Sequence, residues 1–521
     1  MHEYYVIIIP AAGGLIVWAI IKITRSSEAK GHGVPEVMSA VIIRGGRIRA
    51  RIALSKILAS SVCIGSGGSV GREGPIVQIG STIGSSIGSW LGLSTDWVKT
   101  LVACGAAGGI SATFNAPLAG IFFAGEVILG RIFTKHFGFV LISSVIAAAV
   151  AHILLGDLQS FDVPVYNLTN NWELITYFGL GITCAVVALA FVWLLYKTED
   201  FFDKLRLPGF VKPVIGGLMI GIMGWYAPYI FGVGYEGVEQ ALHGNIGLIS
   251  LLILLGLKLL ATSITIGSGG SGGIFAPSLF IGAMYGGVFG SLANRFLPNI
   301  VGPQGGYSMV GMAAVFAAAA RAPITAIIIV FEMTRDYAII LPVMLAVAAS
   351  TFIARTIYRE SIYTTKLTRQ GINISRREEI DVLEKILVSE IMTRRYPFVN
   401  TETSIEELRK MFRDNKFHSL PVIDKNKNFK GMVSIKDLES CASGDSQCLT
   451  VSDICTTCNL VVAYPDESLH EVMNRLGIRD LARIPVADRK KPTRLVGILR
   501  RSDIINAYTR SLSERNAVQE S

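Results

Sequence analysis

Residues 65–75 read GSGGSVGREGP and residues 267–277 read GSGGSGGIFAP, with Gly71/Gly273 and Pro75/Pro277 in register at an offset of 202. Further along, APLAGIFFAGE (116–126) matches APITAIIIVFE (322–332) at an offset of 206, and each copy places a Glu nine residues after its Pro. Two matches in the same order describe a duplicated unit. Long apolar runs surround them, at about 4–23, 52–64, 98–129, 138–155, 174–196, 212–231, 247–266, 307–333 and 337–357. Several reach the ~20 residues that cross a bilayer and others fall short. Gly and Pro at the breaks predict tilted helices that stop inside the membrane, where non-helical backbone is tolerated only if it lines a cavity or is buried in protein. Interrupted segments at corresponding places in two halves point to a transport site.

Charge divides the 521-residue chain in two. Residues 371–521 hold 46 charged side chains in 151 positions, and the first 370 hold only 41. Soluble domains carry about 25% charge, so a lipid-embedded body precedes a water-soluble tail. A mean hydropathy of +0.50 excludes fibrous, disordered and secreted disulfide-framework classes. The net charge of +9 comes without a basic recognition fold, so no nucleic-acid partner is expected. Arg44, Arg47, Arg49, Arg51 and Lys56 read as the basic residues of short cytoplasmic loops. Cys63, Cys104 and Cys184 lie in apolar stretches and read as small buried hydrophobes. Cys455 and Cys458 have the spacing of half a zinc site that no His or second pair completes, so no metal is expected.

The tail carries a second duplication. Residues 388–440 contain a strand-like FVN, a polar helix around Ser404–Asn415, then HSLPVID and FKGMVSIKDL. Residues 451–509 repeat the order with LVVAYPDES, a helix near Leu469–Leu476, ARIPVAD and RLVGILRRSDI. The charged stretch 364–387 reads as the linker. The predicted fold class is therefore an all-α polytopic membrane domain (1–363) followed by a soluble α/β domain pair (388–440 and 451–509).

Three short motifs carry the chemistry: Gly31-His32-Gly33-Val34-Pro35, Gly71-Arg72-Glu73-Gly74-Pro75 and Gly273-Ile274-Phe275-Ala276-Pro277. Each can free backbone N–H groups at a helix start, where Pro suits the first turn and Gly permits close approach. Free N–H groups at the positive end of a helix dipole bind an anion without a full cationic charge. Conduction needs such moderate binding, because an ion held too tightly does not leave. Glycine-rich breaks also serve helix packing alone, but three together favour a site.

With these motifs in order, Tyr363 after the last apolar run and the duplicated tail, the sequence resembles the CLC family of chloride channels and chloride/proton antiporters, whose tails carry paired CBS domains. The resemblance implies a homodimer in a bilayer, chloride or another small anion as the transported ligand, and an inverted repeat that gathers the helix starts near the midplane. It implies that Glu73 is the gating glutamate, with a salt bridge to Arg72 as the alternative role. It implies an anion-binding set of His32, Gly33, the amides of Ile274 and Phe275, and Tyr363. His32 stands where the family usually has serine; the imidazole either donates to the anion or turns to a backbone carbonyl. Glu126 and Val127 fall at the family's paired internal positions, a candidate proton path. Valine cannot carry a proton, which tilts the reading toward a channel, with antiport as the alternative. The family's usual N-terminal helix and first spanning segment have no counterpart before residue 4, so the chain reads as lacking them.

For the tail, the resemblance implies an adenine nucleotide (ATP, ADP or AMP) between the CBS copies, held by Leu420, Pro421, Val422, Ser434, Asp437, Ile484, Pro485, Arg500 and Asp503. A purely structural pair is the alternative. No cofactor is required for transport. The resemblance also implies a multi-pass protein of the plasma or inner membrane with a cytoplasmic tail. A CBS-regulated cation transporter would need a cluster of intramembrane carboxylates, and Glu73, Glu126 and Glu332 are dispersed. An enzyme would need a triad, metal cluster or cofactor fingerprint, and the sequence offers none.

Overall fold

The computed structural model describes residues 4–510 except 133–135, 157–160, 162, 163, 165, 167, 335, 336, 373–382, 384, 385, 416, 443–449, 458, 459, 477–482 and 508. Most of the expected linker after 372, and Cys458 of the zinc-like spacing, lie outside the described residues. The chain divides into two units, Met1–Ile372 and Asn373–Ser521.

The first unit is helical. Six described helices are long and apolar enough to cross a bilayer: Tyr5–Thr24, Phe137–Leu155, Glu173–Lys204, Leu248–Ser268, Phe275–Phe296 and Ile340–Ile357. Two long apolar runs break where the sequence shows only hydrophobicity. Thr95–Phe114 stops at Asn115 and Gln304–Ala320 stops at Arg321, both left-handed with φ of 52° and 59°. An Ala-Pro pair follows each stop, and Pro, which cannot extend a helix behind it, starts the next one at Pro117 and at Pro323.

The duplication extends to packing. A Cβ added at Gly80 would lie 2.2 Å from the Gly105 carbonyl oxygen, and one at Gly282 would lie 2.4 Å from that of Gly311. These two glycine crossings, related by the same offsets of 202 and 206, let Glu73–Trp90 press on Thr95–Phe114 and Phe275–Phe296 on Gln304–Ala320. Equivalent residues also touch each other across the halves. Gly71 and Gly273 exchange N–H···O bonds of 2.7 and 2.6 Å. The Glu126 carboxylate accepts the amides of Ile324 (3.2 Å) and Thr325 (2.8 Å), and Glu332 accepts those of Leu118 (2.9 Å) and Ala119 (2.7 Å). Reciprocal contacts of this kind are the signature of a local two-fold relation.

Two expectations are corrected. Lys56 is not a loop residue: it is fully buried in the Arg51–Gly65 helix, with Nζ donating to the carbonyls of Ala29 (3.1 Å) and Gly31 (2.7 Å). An ammonium removed from water needs such acceptors. Residues 364–372, read as the start of the linker, belong to the first unit. They carry the Thr364–Arg369 helix, in which Leu367 is buried and Lys366 pairs with Glu199 at 3.1 Å.

In the second unit, Ser419–Ile423 pairs antiparallel with Phe429–Ser434, and Arg483–Ala487 with Leu495–Arg500. Both pairs carry an irregularity near the same end, at Val422/Ile423 and Val486/Ala487. Helices Ile405–Asn415, Ile435–Ala442 and Leu469–Leu476 accompany them. Each copy has its own apolar core, one around Leu408, Leu420 and Val433 and the other around Val472, Ile484 and Leu499.

Candidate functional site

The three glycine motifs meet. Gly31 donates to the Gly270 carbonyl (3.0 Å) and Gly272 donates back to that of Gly31 (3.2 Å), beside the Gly71–Gly273 exchange. Space explains the glycines here: a Cβ on Gly74 would lie 2.3 Å from the His32 carbonyl oxygen. Backbone of three distant segments is thereby gathered at one place inside the membrane unit.

His32 is 2% exposed, and neither ring nitrogen has a protein partner among the described residues. The ring is not turned to a carbonyl, the second of the two sequence readings. Its centroid lies 6.0 Å from that of Tyr363, which is also 2% exposed. Tyr363 is held firmly. Ser361 Oγ accepts the amides of Tyr363 (3.2 Å) and Thr364 (3.0 Å), while the Tyr196 hydroxyl donates to the Ile362 carbonyl at 2.5 Å. Among the described residues, no carbonyl takes the amides of Ile274 and Phe275. The Phe275 ring packs on Phe316 and Phe114, at 4.2 and 5.4 Å between centroids. Gly33, with φ of 82°, lets the chain enter the Val34–Ile43 helix directly after His32. Buried polar groups without partners are costly, and this set offers donors to a guest.

Glu73 begins the Glu73–Trp90 helix and is 1% exposed. Its Oε1 accepts the Tyr235 hydroxyl at 2.7 Å, and Oε2 has no hydrogen-bond partner among the described residues. Arg72 does not form the alternative salt bridge; its guanidinium sits 5.7 Å from the centre of the Tyr235 ring and donates to the Thr113 carbonyl at 3.4 Å. Val127 is buried. Glu126 beside it spends its carboxylate on the start of the Pro323–Thr334 helix, where the Thr325 hydroxyl donates to it as well (2.6 Å).

Sequence reasoning missed Tyr235 and Lys258. Lys258 is fully buried in the Leu248–Ser268 helix, and Nζ donates to the carbonyls of Ile230 (3.0 Å) and Gly232 (3.0 Å). It stands 202 residues after Lys56, the offset of the glycine motifs, and that coincidence was the available signal.

The family model described as voltage gated chloride channel matches residues 13–355. The chain belongs to the voltage-gated chloride channel family. Two CBS domain matches follow, at 388–442 and 451–510. The protein is similar to the H(+)/Cl(-) exchange transporter ClcA of Vibrio campbellii, 32% identical over 68% of this chain and 77% of that protein. It is 29% identical to chloride channel protein CLC-f of Arabidopsis thaliana over 99% of this chain and 75% of that protein. Among solved structures, a slow cyanobacterial Cl-/H+ antiporter aligns with a TM-score of 0.65 and 26% identity, covering 71% of this chain and 88% of that one. This family member is thus an integral membrane protein for anion transport with the CLC fold and a CBS pair.

In the CBS pair, Leu420, Val422 and Ile484 turn into the two cores and so could meet a base only through backbone, while Pro421 and Pro485, buried in the same strands, point to the opposite face. Asp437 Oδ2 accepts both the amide and the hydroxyl of Ser434, each at 2.7 Å, at the start of the Ile435–Ala442 helix. In the second copy, the Arg500 amide donates to Asp503 Oδ2 at 3.1 Å. Arg483, which the sequence reading passed over, pairs with Arg500 across the strands and donates to the Ser419 carbonyl at 2.8 Å. Burial, then the facing Arg500, hold the Arg483 guanidinium below its ordinary value.

Proposed function

We propose that this family member moves chloride or a similar small anion past His32, Ile274, Phe275 and Tyr363 in channel mode, with Glu73 as the gate. The observation that carries this reading is that, among the described residues, the buried His32 ring nitrogens and Glu73 Oε2 have no hydrogen-bond partner where the glycine motifs join. An ionised carboxylate there competes with the anion for the same donors, and a protonated one gives way. Amide dipoles bind moderately enough to let the ion leave. Val127 has no titratable group, and Glu126 is occupied by the Ile324 and Thr325 amides, which supports weak or absent proton coupling. The exchangers among the relatives favour antiport as a second reading. Glu73→Gln tests the gate: anion flux in vesicles holding the full-length variant is expected to lose its dependence on external pH. A dependence like the wild type's removes Glu73 from that role.

The chain acts, in this reading, as a homodimeric transporter of the plasma or inner membrane, not as an enzyme, with its CBS tail in the cytoplasm. The tail binds an adenine nucleotide through Ser434, Asp437, Arg500, Asp503 and Arg483. Two guanidiniums facing each other on neighbouring strands, with no ion pair to either among the described residues, suit phosphate. Full-length protein is expected to retain radiolabelled ATP on a filter, and Arg483→Ala to weaken retention about tenfold, as loss of a charge-assisted contact does. Wild-type protein that retains no ATP, ADP or AMP leaves the pair as a structural module.

A further inference from the structure

Among the described residues, the side chain that donates to the Glu73 carboxylate is Tyr235, through its hydroxyl at 2.7 Å. Glu73 opens a helix in the first half of the membrane unit, and Tyr235 opens the Tyr235–Leu242 helix in the second. The contact therefore ties the two halves together at the gate. The Tyr235 ring is fixed by the Phe161 ring, edge-on at 5.2 Å between centroids, and by the Arg72 guanidinium at 5.7 Å.

Behind Tyr235 the loop is pinned. Lys258 Nζ holds the carbonyls of Ile230, Gly232 and, at 3.4 Å, Val233. Gly234 then turns the chain with φ of 83°; a Cβ there would lie 2.9 Å from the Phe280 ring and 3.1 Å from Lys258 Nζ. The first half repeats the device. Lys56 holds the carbonyls of Ala29 and Gly31, and Gly33 turns with φ of 82°. One half uses the scaffold to present His32, and the other uses it to present Tyr235.

We propose that Tyr235 is a positioning residue for the gate: its hydroxyl holds the ionised Glu73 carboxylate in place and so sets how acidic the outside must become before the gate opens. The proposal rests on the gating role of Glu73. A hydrogen bond donated to a carboxylate favours its charged form, so its removal eases protonation. Among the described residues, the other titratable or charged groups facing Glu73 are Arg72, which precedes its helix, Lys258 from the Leu248–Ser268 helix and Tyr363. Tyr235→Phe leaves all three in place, together with the ring contacts.

The test is anion flux against external pH in liposomes holding full-length wild type, Tyr235→Phe, Glu73→Gln and the double variant. Half-activation of Tyr235→Phe is expected about one pH unit closer to neutral, a roughly tenfold change in proton activity. In the Glu73→Gln background the same substitution is expected to change nothing. A Tyr235→Phe profile that overlays the wild type overturns the proposal. A Glu73→Gln variant that keeps its pH dependence overturns the gating role instead. Should the Phe variant fail to assemble, 3-fluorotyrosine at position 235 keeps the shape and donates more strongly, so half-activation is expected at more acidic pH. An unmoved profile there also overturns the proposal.

Discussion

At the scale of single residues, His32 stands where the family resemblance implies a serine. A neutral imidazole presents one N–H donor and one acceptor, and neither nitrogen has a protein partner among the described residues. In the proposed site, its N–H is free to donate to a passing anion on the side of Tyr363. His32→Ser removes the ring, widens the site and substitutes a hydroxyl donor. Relative permeabilities from bi-ionic reversal potentials are expected to change about fivefold for at least one anion pair, the scale of one hydrogen bond. An unaltered anion sequence would place His32 off the path. His32, Glu73, Ile274 and Phe275 could be singled out because Gly and Pro at fixed spacing mark their neighbourhood, whereas Tyr363 has no such motif around it and came only from the family resemblance. Tyr235 was not legible, because its partner Glu73 is 162 residues away and no local pattern announces the pair. Lys56 was misread as a loop cation because composition does not record that carbonyls await it.

At the scale of elements, the account turns on helix starts. Glu126 and Glu332 each cap the helix that opens after the Ala-Pro pair of the other half, through Ile324 and Thr325 and through Leu118 and Ala119. The first turn of a helix has unsatisfied amides and a positive dipole end, so a carboxylate there answers both. The sequence repeat revealed that the two glutamates correspond, but not that they cross over, since a repeat carries no information on which half touches which. The same blindness merged 98–129 and 307–333 into single runs. Hydropathy does not register a left-handed Asn115 or Arg321, and only the Ala-Pro pairs hinted at the breaks. Strands and helices of the CBS copies were plainer, because alternation and turn residues bound them closely.

At the scale of the whole molecule, the proposed mode of transport rests on how the duplicated half is used. Both halves supply loop backbone to one place, and in the proposed site the first half adds His32 and Glu73 while the second adds Ile274, Phe275, Tyr363 and the hydroxyl of Tyr235. Proton exchange would further require a titratable relay from Glu73 toward the opposite side. In the channel mode we propose, Val127 offers no titratable group to such a relay, and Glu126 is engaged in its cap. The decisive measurement is proton uptake by liposomes holding the full-length protein, loaded with chloride and diluted into low chloride with no proton gradient imposed. With potassium and valinomycin carrying the compensating charge, chloride should run out while the external pH stays flat. Sustained proton uptake driven by that chloride gradient would contradict the channel reading and return Glu126, His32 or a chain of waters to the proton path.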